Sequence, residues 1–258
     1  MQRNRLPIGV FDSGVGGVSV LRELVRLMPG ESYIYLGDSK NAPYGTKSHE
    51  EILHHASECA DYLVGRNIKA LVVACNTATS VCIEPLRKRY PDMLIVGIEP
   101  AIKPALECAD NSTVAVMATP LTLKEDKFLR LVESSGAGER IVPLPCPGLM
   151  EIVEKGLSDK TEAYKYLEEL FKGMPVPDAI VLGCTHYPFL KAILKSILPS
   201  VRIYDGGEGT AKQLKRLLDA GGISNPDLSG GTVEFENTLK DESRNKLARL
   251  LLEYKEEL

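Results

Sequence analysis

A chain of 258 residues with an apolar fraction of 44% is long enough to bury a substantial core, as one large domain or two modest ones. Its 31 basic and 35 acidic residues are dispersed along the chain for a formal charge of -4, so no cationic run offers the footprint that a phosphate backbone requires, and nucleic acid is not an expected partner. No uncharged run approaches the roughly 18 residues of a membrane span, and no apolar stretch of signal-peptide length follows the opening MQRNRL, which predicts a cytoplasmic protein with no membrane partner.

In chain order, short β-branched runs alternate with longer helical patterns. PIGVF, YIYL, ALVVA and LIVGI precede a Pro-containing break, GIEPAIKPA, after which TVAVM, RIVPL, AIVLG and VRIY follow. Between them, GVSVLRELVRLM, EEILHHASECADYLV, TEAYKYLEELFKG, FLKAILKSIL and TAKQLKRLLDA space apolar residues three and four apart, the period of an amphipathic helix. Such alternation predicts an α/β protein with parallel sheets covered by helices on both faces. Four strands on each side of the break predict two α/β domains of similar size. A late strand, TVEFE, followed by the helix ESRNKLARLLLEY, is assigned to the first, which makes that domain discontinuous: residues 1–98 with 208–258, against 99–207 for the second.

Two strand ends look alike. ALVVACNTATS and AIVLGCTHYPF both read as a buried strand, a small residue, a cysteine, side-chain donors and then a helix. Ligands of open α/β sheets bind at the carboxyl ends of strands, so Cys75 and Cys184 stand where two domains could each offer a thiol to one cleft. A helix N-terminus can lower a thiol pKa and make either cysteine a base, with Asn76, Thr77 and Thr185 as neighbouring donors. Simple packing of a buried thiol is the alternative reading of each, and it is the one preferred for Cys59, Cys82, Cys108 and Cys146. The six cysteines form no C-x-x-C pair and are read as reduced, and the four histidines, His54 and His55 among them, lack the usual spacing of a zinc site.

In VFDSGVGGVSVL, the glycines permit close backbone approach to an anion, but the segment fits neither a P-loop nor a G-x-G-x-x-G register. Asp12 either fills a turn or faces the cleft to orient or protonate a thiol. Asp38, in LGDSKNAPYGTKS, repeats that position after the second strand, with solvation or helix capping as the other explanation.

FDSGVGG, YLGDSKNAPYG, VVACNTAT, GIEPAIKPA, CPGLMEIVEKG and VLGCTHYPFL, in that order over residues 8 to 206, resemble the glutamate racemases of the cofactor-independent aspartate/glutamate racemase family. The resemblance implies two pseudo-symmetric α/β domains with mainly parallel sheets facing a shared cleft. It further implies interconversion of L- and D-glutamate by a two-base, two-cysteine proton transfer that supplies D-glutamate for peptidoglycan synthesis, with no pyridoxal phosphate, metal or nucleotide, in a homodimer. By motif, Cys75 and Cys184 match the catalytic cysteines, Asp12 the aspartate assisting the first and His186 the histidine assisting the second. Asp38 and Glu154 match supporting acidic residues. Asp12, Ser13, Pro43, Tyr44, Gly45, Asn76, Thr77, Thr185 and His186 match substrate-holding positions; in MATPLTLK, Thr122 is matched to a further one, with Thr119 as the alternative register. In YDGGEGTA, Gly206 stands where the family pattern leads one to expect a side-chain donor. The short stretch before the first strand does not imply control by a cell-wall precursor.

Overall fold

The computed structural model describes residues 3–107, 112–156 and 159–254. Its elements in chain order are β1 (Ile8–Asp12), α1 (Val18–Leu27), β2 (Tyr33–Gly37), α2 (His49–Gly65), β3 (Ala70–Val73), α3 (Asn76–Arg89), β4 (Leu94–Gly97), α4 (Ile102–Leu106), β5 (Val114–Ala118), α5 (Pro120–Lys124), α6 (Asp126–Ser134), β6 (Ile141–Pro145), α7 (Leu149–Glu154), α8 (Thr161–Phe171), β7 (Ala179–Leu182), α9 (Lys191–Ile197), β8 (Arg202–Asp205), α10 (Gly207–Ala220), β9 (Val233–Asn237) and α11 (Glu242–Glu253). Each predicted strand run forms a strand. One predicted helix is divided: FLKAILKSIL opens with a 3-10 turn at Tyr187–Leu190, next to Pro188, and only then continues as α9.

The strands form two sheets, ordered β4-β3-β1-β2-β9 and β6-β5-β7-β8, with every pairing parallel. β1, β3, β5 and β7 are buried at every residue, which is why they read as unbroken apolar runs rather than as an alternating pattern. Pro143 and Pro145 fall in β6, at a sheet edge where a missing N–H is tolerated. β9 pairs with β2 and so closes the first sheet, while α10 packs on α1, returning the chain from the end of the second sheet to the first.

One apolar cluster runs from Val10, Val72 and Val96 on the first sheet to Met117, Ile180 and Leu182 on the second, whereas the outer faces carry separate cores. In both sheets the strand order reverses at the middle. β1 is followed by β2 on one side and β3 on the other, and β5 is followed by β6 on one side and β7 on the other. Such reversals open a crevice beyond the carboxyl ends of the two central strands, because the succeeding helices leave toward opposite faces. No helix among the described residues is long and apolar enough to cross a membrane.

Candidate active site

Both reversal points carry a cysteine. Cys75 follows β3 and caps α3: its backbone is extended, and its Sγ accepts from the Ala78 amide at 3.4 Å, the role a serine or aspartate side chain usually fills. Ser13 Oγ, from the turn after the neighbouring β1, lies 3.4 Å from the same sulfur. Cys184 stands two residues beyond β7, with its Sγ 3.7 Å from His186 Nδ1. The two thiols line one cavity of about 110 Å³, together with Ser13, Pro43, Tyr44, Gly45, Asn76, Thr77, Thr185 and His186.

The expectation that a helix N-terminus would lower the Cys75 thiol does not hold. Burial first, and the Asp12 carboxylate second, push Cys75 up to about 12, outweighing the Ser13 and Ala78 hydrogen bonds that favour thiolate. Beyond Cys184 lies the 3-10 turn instead of a long helix, so its polar partner is an imidazole rather than a helix dipole.

His186 is buried, and its Nε2 is 2.8 Å from Glu154 Oε1. Burial alone would depress the imidazole, but hydrogen bonds and charge from Cys184 and Glu154 hold it well above its ordinary value. Glu154 shows the converse balance. Burial would raise it, yet the His186 contact, the Val15 amide at 2.9 Å and the Arg244 guanidinium bring its carboxyl below the usual range.

The remaining predicted residues stand behind the cavity wall. Asp12 is fully buried and accepts from the Gly14 amide at 2.9 Å and from Thr185 Oγ1 at 3.0 Å; its carboxyl is raised, chiefly by burial. Its direct contacts therefore run to the Cys184 segment, and Ser13 is the residue that reaches Cys75. Asp38 accepts from Tyr44 Oη at 2.6 Å and from Thr238 Oγ1 at 2.7 Å, which anchors the tyrosine from behind. Thr119, not Thr122, lines the cavity; Thr122 lies 3.0 Å from Thr77 Oγ1 and 2.9 Å from Thr119 Oγ1 and lines a neighbouring hollow.

The glycines of DSGVGG serve close approach, and the anion approached belongs to the chain. A Cβ at Gly14 would come within 2.2 Å of Glu154 Oε1, and one at Gly16 within 2.3 Å of His186 Nδ1. Gly206 lies outside the cavity, where a Cβ would meet the Glu99 carbonyl at 2.3 Å; the donor expected at that position has no room. Cys146, read as a packing residue, also lines the cavity, donates to the Leu144 carbonyl at 3.3 Å, and is pushed up to about 12 by burial. Its signal was present, since CPG after β6 is another strand end. Arg244 had none, being 90 residues from Glu154.

Cys59, Cys75, Cys82, Cys146 and Cys184 are free and buried; Cys108 lies outside the described residues. Among the described residues, His54, His55 and Glu58 on α2 form the one group able to converge on a metal ion, and none of them lines the cavity.

The Asp/Glu/hydantoin racemase family model matches residues 8–214. A glutamate racemase of Clostridium acetobutylicum is 49% identical over 96% of this chain and 97% of its own length. Among solved structures, a glutamate racemase isoform of Bacillus anthracis superposes with a TM-score of 0.87 at 30% identity, covering 98% of this chain and 96% of that one. The glutamate racemase of Francisella tularensis, solved with D-glutamate, superposes with a TM-score of 0.83 at 27% identity over 98% of this chain and 96% of that one.

Proposed function

The chain belongs to the Asp/Glu/hydantoin racemase family and is an isomerase of the racemase class, and from that premise we propose that it interconverts L- and D-glutamate with Cys75 and Cys184 as the two bases. The observation that carries the reading is the arrival of two buried thiols, one from each sheet, on a single small cavity. Inverting a stereocentre demands that one group take the α-proton while another delivers a proton to the opposite face. Near-attack approach of about 3–3.5 Å on each side places the sulfurs roughly 7 Å apart around the bound α-carbon.

Cys75 is held as a thiol and is ready to donate, while His186, with its Nδ1 3.7 Å from Cys184 Sγ, stands beside the sulfur that is to take the proton. In one direction the Cys184 thiolate takes the α-proton and the Cys75 S–H bond breaks to protonate the other face. The two sulfurs then hold exchanged states, which are those needed for the reverse direction. The Asn76 side-chain oxygen, buried on the cavity wall without a partner among the described residues, suits the substrate ammonium. The first amides of α3 and the hydroxyls of Ser13, Thr77, Thr119 and Thr185 suit its carboxylates and the charge that develops as the proton leaves. Glutamate is favoured as substrate by the activity of the relatives and by the D-glutamate bound to the Francisella protein. The same relationship supports a homodimeric cytoplasmic enzyme that needs no cofactor and supplies D-glutamate for peptidoglycan.

The test is deuterium incorporation from heavy water at the α-carbon of L- and D-glutamate and of L- and D-aspartate, with the wild type, Cys75→Ala and Cys184→Ala. Exchange of glutamate by the wild type, with inversion lost in both variants, is the expected result. Full racemisation by either variant removes that sulfur from the scheme, and exchange of aspartate alone reassigns the substrate.

A further inference from the structure

We propose that Arg244, on the C-terminal helix α11, is a positioning residue that locks the Glu154–His186 pair in its working ionisation and geometry from the opposite domain, an inference that rests on the two-cysteine reading above. Its guanidinium Nη1 donates to Glu154 Oε2 at 2.7 Å and to the Glu154 carbonyl at 3.2 Å. The other carboxylate oxygen, Oε1, takes the Val15 amide at 2.9 Å and faces His186 Nε2 at 2.8 Å. Three segments thus converge on one carboxylate: the turn after β1, the loop after β7, and α11, which packs on α1 and β9. Glu154 itself ends α7, next to the second sheet.

The division of labour between the two oxygens decides the geometry. With Oε2 and the carbonyl held by Arg244, the carboxylate plane cannot rotate, and Oε1 stays aimed at the imidazole whose other nitrogen meets Cys184. The contact is also electrostatic. The charged and titratable groups facing Glu154 are His186 from the β7 loop, Asp12 from the end of β1, the buried Tyr35 from β2 and Arg244 from α11, while the adjacent Lys155 is turned to Glu162. His186 is the larger favourable influence on the Glu154 carboxylate, and Arg244 adds to it a positive charge that does not depend on the state of the imidazole. The Arg26–Glu23, Arg87–Glu84 and Arg89–Asp61 pairs lie on exposed surfaces, whereas this one ends on a carboxylate that is 14% exposed.

The experiment compares the wild type, Arg244→Gln, Arg244→Lys and, as a control on the same helix, Arg249→Gln. It reads the pH profile of kcat/KM in both directions and, independently of turnover, the carboxyl carbon resonance of Glu154 assigned by its loss in Glu154→Gln. Arg244→Gln is expected to move the acid limb and the Glu154 midpoint up by about one pH unit, the low end for removal of an opposite charge at contact distance. Its kcat is expected to fall about tenfold with KM changed less, as a misaligned base requires. Arg244→Lys, which keeps the charge, restores the limb and the midpoint, and Arg249→Gln leaves both unchanged. An unshifted Glu154 midpoint in Arg244→Gln, or an equal shift in Arg244→Lys, overturns the assignment. Because the resonance is read without substrate, a wild type that fails to racemise would refute the proposed reaction and still leave the role of Arg244 decided.

Discussion

Cys75 and Cys184 sit at equivalent places in their sheets but in different surroundings, Cys75 beside Ser13 and Asp12 and Cys184 beside His186. Burial and Asp12 push the Cys75 thiol up to about 12, so alkylation by iodoacetamide, followed by peptide mass spectrometry of the ligand-free protein, is expected to stay slow at Cys75 up to pH 9 and to accelerate only toward pH 12. Rapid modification at pH 7 would show that the thiolate is already present. The same shift is a statement about stability. A thiol whose folded pKa lies above its unfolded value of 9.0 contributes fully below that pH, and the contribution is lost as pH rises through the folded value of about 12. Cys82, buried away from the cavity and also pushed up to about 12, adds to the effect. The thermal midpoint is therefore expected to fall between pH 9 and 12, and to fall less steeply in Cys82→Ala than in the wild type.

At the scale of elements, the turn between β1 and α1 shows how a backbone can be built around side chains from the other domain. Gly14 and Gly16 leave room for Glu154 and His186, and Ser19 Oγ donates to the Thr185 carbonyl at 2.8 Å. A methyl group at residue 16 would overlap the imidazole ring and the Thr185 hydroxyl, so Gly16→Ala is expected to lower kcat at least tenfold and to lower the melting temperature as well, while circular dichroism still reports the same fold. Near-wild-type turnover would mean that the ring moves aside freely. The elements differ in how plainly the sequence announces them. The strands and the long amphipathic helices were readable because burial enforces a pattern over several residues. α4, α5 and α7 were not, since five or six residues give little more than one turn in which a period could be seen. α3 was readable at its start, through Cys75 and Asn76, although Pro85 interrupts its pattern.

For the whole molecule, distant segments are tied together by a few buried polar contacts. Lys69, fully buried, donates to the Asn4 carbonyl at 2.6 Å and the Ile223 carbonyl at 2.9 Å and pairs with Glu31 at 2.5 Å, while Glu31 also accepts from the Asn225 amide at 2.8 Å. The N-terminal segment, the loop between α1 and β2, the residue that leads into β3 and the loop after α10 thereby share one ionic knot. Lys69→Met leaves a buried carboxylate unpaired and is expected to cost about 3–5 kcal/mol in chemical denaturation, with part of the loss recovered by adding Glu31→Gln. A loss below 1 kcal/mol would mean that water reaches the pair. By itself, the sequence determined the α/β class, the strands β1 to β9 among the described residues and the two cysteine motifs, because each is written in contiguous residues, the strands as apolar runs and the motifs as a cysteine and donors that follow one. Only the tertiary structure decided that Thr119 rather than Thr122 faces the cavity, that Cys146 joins it, that burial holds Cys75 protonated, and that Arg244 meets Glu154. Those outcomes depend on which surfaces fold against one another and exclude water, and desolvation and contact between remote segments leave no mark in local sequence.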